Sequence, residues 1–334
     1  MQKVLVTGAA GFIGFHLAHR LAKEGHTVVG IDNLNDYYDP RLKLARLKEL
    51  EPLPNFTFVN LDLLAYDALE GLFKVQHFDV VVHLAAQPGV RYALTNPRAY
   101  IENNIVGFFN VLEALRHFPV SHFVYASSSS VYGGNKTLPF SIHDSVDHPL
   151  SLYAATKKSD ELIAHAYAHL YNIPMTGLRF FTVYGPWGRP DMAMYLFTKN
   201  LIEGKPIEVF NQGQHYRDFT YIDDIIESMV RILPKIPTPI PSPTPLTPGV
   251  SLAPWRVYNI GNQQPIHLLE YIKIIEKHVG RQAILEFKSA QLGDMQDTHA
   301  DVQDLEALID YKPTITINEG VQRFVAWYRI YEQV

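Results

Sequence analysis

The stretch KVLVTGAAGFIG, residues 3–14, constrains this chain more than any other. A β-branched run leads straight into Gly8, Gly11 and Gly14, which stand at the mouth of a helix. Glycines in that order let the backbone turn tightly and approach a pyrophosphate, whose charge then meets the helix N-terminus. A glycine pattern alone is weak evidence. Asp32 strengthens it: this residue ends the next strand, VVGID, 18 positions beyond Gly14. An acid there accepts from both ribose hydroxyls and repels a 2′-phosphate, so NAD is favoured over NADP. Phe12 and Ile13 inside the glycine turn, and Asn33 beside Asp32, belong to the same expected cofactor set.

The first 180 residues alternate such runs with helical patterns, as parallel strands joined by crossover helices do. KVLVTG, TVVGID, FTFVNLD, DVVVHLAA, HFVYASS and MTGLRFF each read as a buried strand followed by a loop. The expected fold is α/β, a Rossmann-type doubly wound parallel sheet with a smaller α+β substrate-binding lobe. Residues 1–185 form the NAD-binding domain in this reading. Residues 186–334 form mainly the second lobe, with the chain free to cross between the two. Short strands at IEVF, RDFTYI and WRVYNIG, and helical patterns near 223–233, 267–279, 301–309 and 318–331, are assigned to that lobe. PKIPTPIPSPTPLTPG, the core of a proline-rich insertion over 234–254, suits neither helix nor central strand and reads as a surface excursion.

In an open sheet of this kind, ligands sit outside the carboxyl ends of the strands. Asp62, ending FTFVNLD, is placed to contact the adenine with Leu63 beside it, or else to cap the next helix. Ala85 and Ala86 in HLAAQ are small residues past which cofactor backbone can run, or around which the core packs tightly.

Composition removes whole classes of function. Against 34 Asp+Glu stand 29 Lys+Arg, a formal charge of -5 that offers no basic field to a nucleic acid. The absence of cysteine excludes disulfides and thiolate metal sites. MQKVLVTG lacks the features of a secretory signal, and no apolar run approaches the roughly 20 residues of a membrane span. The expectation is a cytoplasmic protein with no membrane contact.

Tyr153 and Lys157 in YAATK stand at i and i+4, on one helix face. A phenol titrates near pH 10, but a neighbouring ammonium and a cationic nicotinamide favour the phenolate, which makes Tyr153 a candidate acid/base. Upstream, YASSSSVYG ends the fifth strand with four hydroxyls, Ser127 to Ser130, able to donate to a sugar oxygen or to satisfy their own turn.

Together TGAAGFIG, SSSSVYG and YAATK resemble the extended short-chain dehydrogenase/reductase family, and within it the nucleotide-sugar epimerases, nearly end to end. The resemblance implies a tightly held NAD, a C-terminal lobe gripping a nucleoside diphosphate sugar, and a catalytic set of Ser128, Tyr153 and Lys157. Related 4,6-dehydratases carry Asp-Glu where this chain has Ser129 and Ser130, and UDP-xylose synthases have Ser/Thr-Glu-Val-Tyr in the same turn. Neither acid is present here.

At the end of the sixth strand the chain reads RFFTVYGPWGRPDM, residues 179–192. Family members acting on neutral hexoses have an Asn where this chain has Thr182. The segment is similar instead to that of UDP-glucuronate 4-epimerases, and it implies UDP-glucuronate and UDP-galacturonate as the substrate pair. A C6 carboxylate needs a cationic donor, and the Arg189 guanidinium can bind it bidentately beside Thr182, Ser129 and Ser130. The alternative for Arg189 is a structural pair with Asp191 or Asp218. By the same resemblance Arg217 in QHYRDFTYIDD contacts the diphosphate and Asp294 in LGD the uridine ribose, although Gln291 and Leu292 depart from the family's Arg-Pro. Arg91 in QPGVRYA approaches diphosphate or uronate, or forms an exposed salt bridge.

His165 and His169 in HAYAH have metal-ligand spacing, but the Glu of HExxH and a third ligand are missing, so no metal is expected. Phe324, Trp327, Tyr328 and Tyr331 near the C-terminus suit core or dimer contacts. In this family, helices corresponding to 97–116 and 151–170 pair into a four-helix interface, which implies a homodimer.

Overall fold

A computed structural model describes residues 1–241, 246–289, 295 and 297–334. Its centre is a sheet built from β1 (Lys3–Thr7), β2 (Thr27–Asp32), β3 (Phe56–Asn60), β4 (Val80–His83), β5 (His122–Ser128), β6 (Met175–Phe180) and a later strand, Trp255–Ile260. Every neighbouring pair is parallel. The reason these strands read as unbroken apolar runs is that both faces are covered. Val4 and Val6 belong to one core and Leu5 to the other, and the same division separates Val80 and Val82 from Val81.

Crossover helices make the two layers. On one side lies α1 (Phe12–Lys23), with α2 (Pro40–Leu50) next to it. On the other lie α3 (Tyr66–Gln76), the short α4 (Pro97–Tyr100), α5 (Gly107–His117) and the long α6 (Leu152–Tyr171). A π-helical turn over Ile101–Val106 joins α4 to α5. The strand order runs from the 255–260 strand through β6, β5, β4, β1 and β2 to β3. The direction of winding therefore reverses at β1 and β4, where an open sheet leaves a crevice for ligands.

Beyond β6 the chain forms β7 (Thr182–Tyr184), α7 (Ala193–Glu203), β8 (Ile207–Val209), β9 (Tyr216–Tyr221) and α8 (Ile222–Ile232). It continues into β10 (Trp255–Ile260), β11 (Pro265–His267), α9 (Leu268–Val279), β12 (Leu285–Phe287), α10 (Gln303–Ile309) and α11 (Ile317–Glu332). β9 lies between β7 and β11, and β12 pairs with β8. WRVYNIG, assigned above to the smaller lobe, is instead the edge strand of the large sheet. Alternate residues Trp255, Val257 and Asn259 are buried, and Trp255 Nε1 donates to the Tyr125 hydroxyl at 2.9 Å. Helix α8 also returns to the first layer, against α1. The proline-rich segment ends along this edge: Val257 N–H donates to Gly249 O (3.1 Å), and Arg256 Nη2 to Thr238 O (2.8 Å). Such cover protects an edge strand from unwanted pairing.

Candidate active site

The crevice at the winding reversal is lined first by the glycine turn. Gly8 has φ +71°, and its N–H donates to Ile31 O at 2.8 Å. A Cβ on Gly14 would lie 2.1 Å from Gly8 O, and one on Gly8 would lie 2.8 Å from Ala85 N. The turn thus closes to within backbone contact of both α1 and the end of β4. Gly11 caps α1 without a side-chain acceptor, so the helix N-terminus presents its amides to the crevice. Phe12 and Ile13 line the same wall, and Ala85 and Ala86 stand opposite. Thr7 Oγ1 fixes that opposite wall, accepting from Leu84 N and Ala85 N, both at 3.1 Å.

Asp32 ends β2 in the crevice, nearly buried, and accepts from Leu34 N–H at 2.8 Å. Lys43 of α2 comes within 3.6 Å of it and donates to Asn35 Oδ1 at 3.0 Å. Burial draws the Lys43 ammonium below its ordinary pKa, with Asp32 opposing that shift. Asp62 is not a helix cap: α3 begins at Tyr66 with Ala65 at the capping position. Its carboxylate instead accepts from Leu64 N–H (2.9 Å) and Asn33 Nδ2 (3.0 Å), facing the crevice with Leu63. These walls fit a dinucleotide. A side chain at Gly8 or Gly14 would fill the cradle, amides face where a pyrophosphate would lie, and a carboxylate stands where ribose hydroxyls would.

Further along the crevice, β5 and α6 supply the chemical groups. Ser151 caps α6 by accepting from Ala154 N–H at 3.1 Å, which starts the helix just before Tyr153. Tyr153, Lys157, Ser128, Ser129 and Ser130 all line the one cleft. Ser128 Oγ accepts from Ser130 N–H at 3.1 Å, so the serine turn does satisfy part of its own backbone. Ser127 is used otherwise, donating to Glu161 Oε1 at 2.7 Å. Glu161 also receives both arms of the fully buried Arg179, at 2.8 and 2.9 Å. Burial would raise the Glu161 carboxyl, but Arg179 holds it below its ordinary value. This pair ties α6 to β6 and sets the reach of Tyr153 and Lys157. Lys157 Nζ donates to Ala126 O and Asp160 Oδ2, each at 3.1 Å.

The loop after β7 completes the site. Thr182 and Arg189 line both this cleft and an adjoining cavity of about 870 Å³. Arg189 forms a bidentate pair with Asp191, at 3.0 and 2.9 Å, and the Tyr37 hydroxyl donates to the same carboxylate at 3.1 Å. Asp218, the other partner considered, accepts instead from the backbone amides of Asn262, Gln263 and Ala300, each at 3.0 Å. Burial alone would raise the Asp191 carboxyl, but Arg189 brings it below its ordinary value. The loop is clamped at Trp187, which sits at φ +63° and packs on Trp327 and Tyr331 of α11. From the nucleotide side the buried Arg46 reaches it, donating to Trp187 O at 2.6 Å and to Ala10 O at 2.8 Å. One guanidinium therefore joins the glycine turn to the Arg189 loop.

Arg91 and Arg217 line the adjoining cavity. Arg91 stacks its guanidinium over Phe210 at 4.8 Å, and Arg217 Nη2 donates to Met295 O at 2.5 Å. Asp294 lies outside the described residues. His165, of the HAYAH pair, shares a 2.6 Å hydrogen bond with Ser251. Sequence reasoning missed Tyr37, Lys43, Arg46 and Asp160. Tyr37 and Lys43 sit in NDYYDPRLK, where no local pattern marks a ligand site; Lys43 reaches the cleft from α2 and Tyr37 from the loop before it.

The NAD dependent epimerase/dehydratase family model matches residues 4–243. Protein CapI of Staphylococcus aureus is 54% identical over 332 residues, 99% of each chain. A probable UDP-glucuronate 4-epimerase of Rhizobium meliloti is 47% identical, covering 98% of this chain and 97% of its own. Among solved structures, a UDP-glucuronic acid 4-epimerase from Bacillus cereus in complex with UDP-glucuronic acid and NAD superposes with a TM-score of 0.86. It is 36% identical and covers 98% of this chain and 99% of its own. Motifs, sheet order and these matches agree: the chain belongs to the NAD dependent epimerase/dehydratase family.

Proposed function

We propose that this protein inverts C4 of UDP-glucuronate, giving UDP-galacturonate reversibly, with NAD as a bound and regenerated oxidant. The observation that carries the reading is convergence. Ser128, Tyr153 and Lys157 share one cleft with the glycine cradle at one end and Thr182, Arg189, Ser129 and Ser130 at the other. The Bacillus cereus structure, with UDP-glucuronic acid and NAD in the same fold, supports the same substrate and cofactor.

Bound NAD would supply oxidation and then reduction at C4. Tyr153, assisted by the Ser128 hydroxyl, takes the O4 proton as the 4-keto sugar forms and returns it afterwards. Lys157, lining the same cleft, would hold its ammonium toward that phenol and the nicotinamide ribose. Arg217 and Asp294 anchor the UDP, with Arg91 near the diphosphate, so that the pyranose can turn and present its other face. The keto intermediate is a β-keto acid and prone to lose carbon dioxide. Thr182, Arg189, Ser129 and Ser130 bind its carboxylate and hold it out of alignment with the keto π system. On the nucleotide side, Asp32 and Asn33 take the ribose, and Asp62 and Leu63 the adenine.

Exposed apolar residues on the outer faces of α4–α5 and α6, among them Ile101, Phe109, Leu162 and Leu170, support a homodimer through a four-helix interface. Among the described residues no helix is long and apolar enough to cross a membrane, and a cytoplasmic site is the reading we adopt. Incubation with UDP-glucuronate tests the reaction: a product of unchanged mass and galacto configuration is expected. Loss of carbon dioxide, or no turnover of this sugar beside turnover of UDP-glucose, overturns it.

A further inference from the structure

Lys157 belongs to a small polar cluster behind the cleft wall. Two of the three donors of its ammonium are engaged, one by Ala126 O at the end of β5 and one by Asp160 one turn further along α6. Lysine and aspartate are 2% and 0% exposed. The Asp160 carboxylate is only half satisfied, because Oδ1 is buried without a hydrogen-bond partner. An unpaired buried oxygen is costly, and native structures keep few of them. The next residue makes the contrast: Glu161 has both oxygens bonded, to Arg179 and Ser127. Packing of α6 on the sheet would be served by a neutral side chain at 160, so the carboxylate calls for another role.

We propose that Asp160 is a positioning residue for Lys157. It pins the ammonium against the cleft wall, and its negative charge subtracts from the field that the lysine exerts on the Tyr153 phenol. The inference rests on Tyr153 acting as the acid/base of the proposed reaction. Opposite charges a few ångströms apart favour each other's ionised form, and a third group beside them feels their difference. Burial pushes the Asp160 carboxyl up to about 7, with Lys157 pulling it down and Glu161 pushing it further up. The charge it subtracts therefore changes near neutrality.

The surrounding groups leave Asp160 as the adjustable member. On its own helix it meets Lys157 and Glu161, and the latter is held ionised by Arg179 of β6. From β5 comes Tyr125, whose phenol is driven far up by burial and donates no charge. From β4 His83 faces Lys157, and burial lowers it to about 3, so it stays neutral. The π-helical turn packed on α6 contributes Asn104, an amide that donates to Thr156 Oγ1 at 3.0 Å.

The test compares the NAD-loaded wild type with Asp160→Asn, which keeps the shape and an acceptor for Lys157 but removes the charge. Tyr153 ionisation is read directly, as the near-ultraviolet phenolate absorbance of each protein minus that of its Tyr153→Phe counterpart. The pH dependence of turnover on UDP-glucuronate is read beside it. The expected result is a Tyr153 midpoint lower by about one pH unit in Asp160→Asn, with the acidic limb of the rate profile moving the same way. A midpoint that stays put or rises overturns the proposal, whatever happens to thermal stability. Should Asp160→Asn not fold, Asp160→Ser, neutral and smaller, carries the same expectation. If the wild type does not turn over UDP-glucuronate, the proposed reaction fails, yet the phenolate titration still decides this point by itself.

Discussion

The two ends of the cleft are built by different means. At the nucleotide end the shape is made by backbone: Gly8 O, the amides of α1 and the end of β4 meet at distances that leave no room for a Cβ. At the other end the shape is made by side chains held from afar. Arg189 is fixed by Asp191, Asp191 by Tyr37 of another loop, and Trp187 by Arg46 and α11. A backbone cradle fails as a whole when one atom is added, whereas a side-chain pocket can lose a member and keep its outline.

The largest effect is therefore expected from the smallest change. Gly14→Ala would place a methyl 2.1 Å from the Gly8 carbonyl oxygen, which neither strand β1 nor α1 can move to relieve without opening the cradle. The purified variant should carry no dinucleotide, and turnover should fall by about 10³-fold or more for want of the oxidant. Absorbance and mass of the nucleotide released on denaturation measure the first, and the epimerase assay the second. A variant that kept its dinucleotide would break the claim that this end is made by backbone contact.

The side-chain end predicts a graded response and one asymmetry. Arg189→Ala removes the guanidinium offered to the uronate, and KM for UDP-glucuronate should rise by about 10- to 100-fold, since a charge-assisted bidentate contact is worth a few kcal/mol. Asp191→Ala removes the carboxylate that engages the same guanidinium. If Arg189 serves the sugar, that variant keeps or lowers KM, because the competing anion has gone. If the pair is only a structural tie of the loop, both variants should do equal harm. Initial-rate measurements on the two proteins separate these outcomes, and full activity in Arg189→Ala would sink the uronate assignment.

This difference in construction is also what made one end legible in the sequence and the other only partly so. Glycine spacing, a strand before it and an acid ending the next strand are local facts, and they placed Gly8, Gly11, Gly14 and Asp32 on one wall. Tyr153 and Lys157 were legible for a similar reason, one turn apart on one helix. Thr182 and Arg189 could be named from their run, but the bidentate grip of Asp191 and the Tyr37 hydroxyl behind it depend on how residues 154 positions apart meet. Arg46 carried no local signal, since the two carbonyls it joins come from distant loops. WRVYNIG was misplaced for the same reason: its short, flanked run says strand, and only the Trp255–Tyr125 contact says which sheet.

The smallest predicted effect checks that the glycine argument concerns position rather than residue type. Gly71 lies inside α3, exposed, and a Cβ there would meet nothing within 4 Å. Its backbone is helical, so alanine fits without strain. Glycine in a helix interior leaves the unfolded chain more freedom to lose and costs about 1 kcal/mol relative to alanine. Gly71→Ala should therefore raise the melting temperature slightly and leave bound dinucleotide and turnover unchanged, as thermal denaturation and the nucleotide assay would register. The same methyl that destroys the cradle at 14 would then strengthen the chain at 71. Loss of cofactor from Gly71→Ala would instead mean that the crevice is sensitive to helix rigidity at large, and the contrast between a backbone-built and a side-chain-built end would lose its footing.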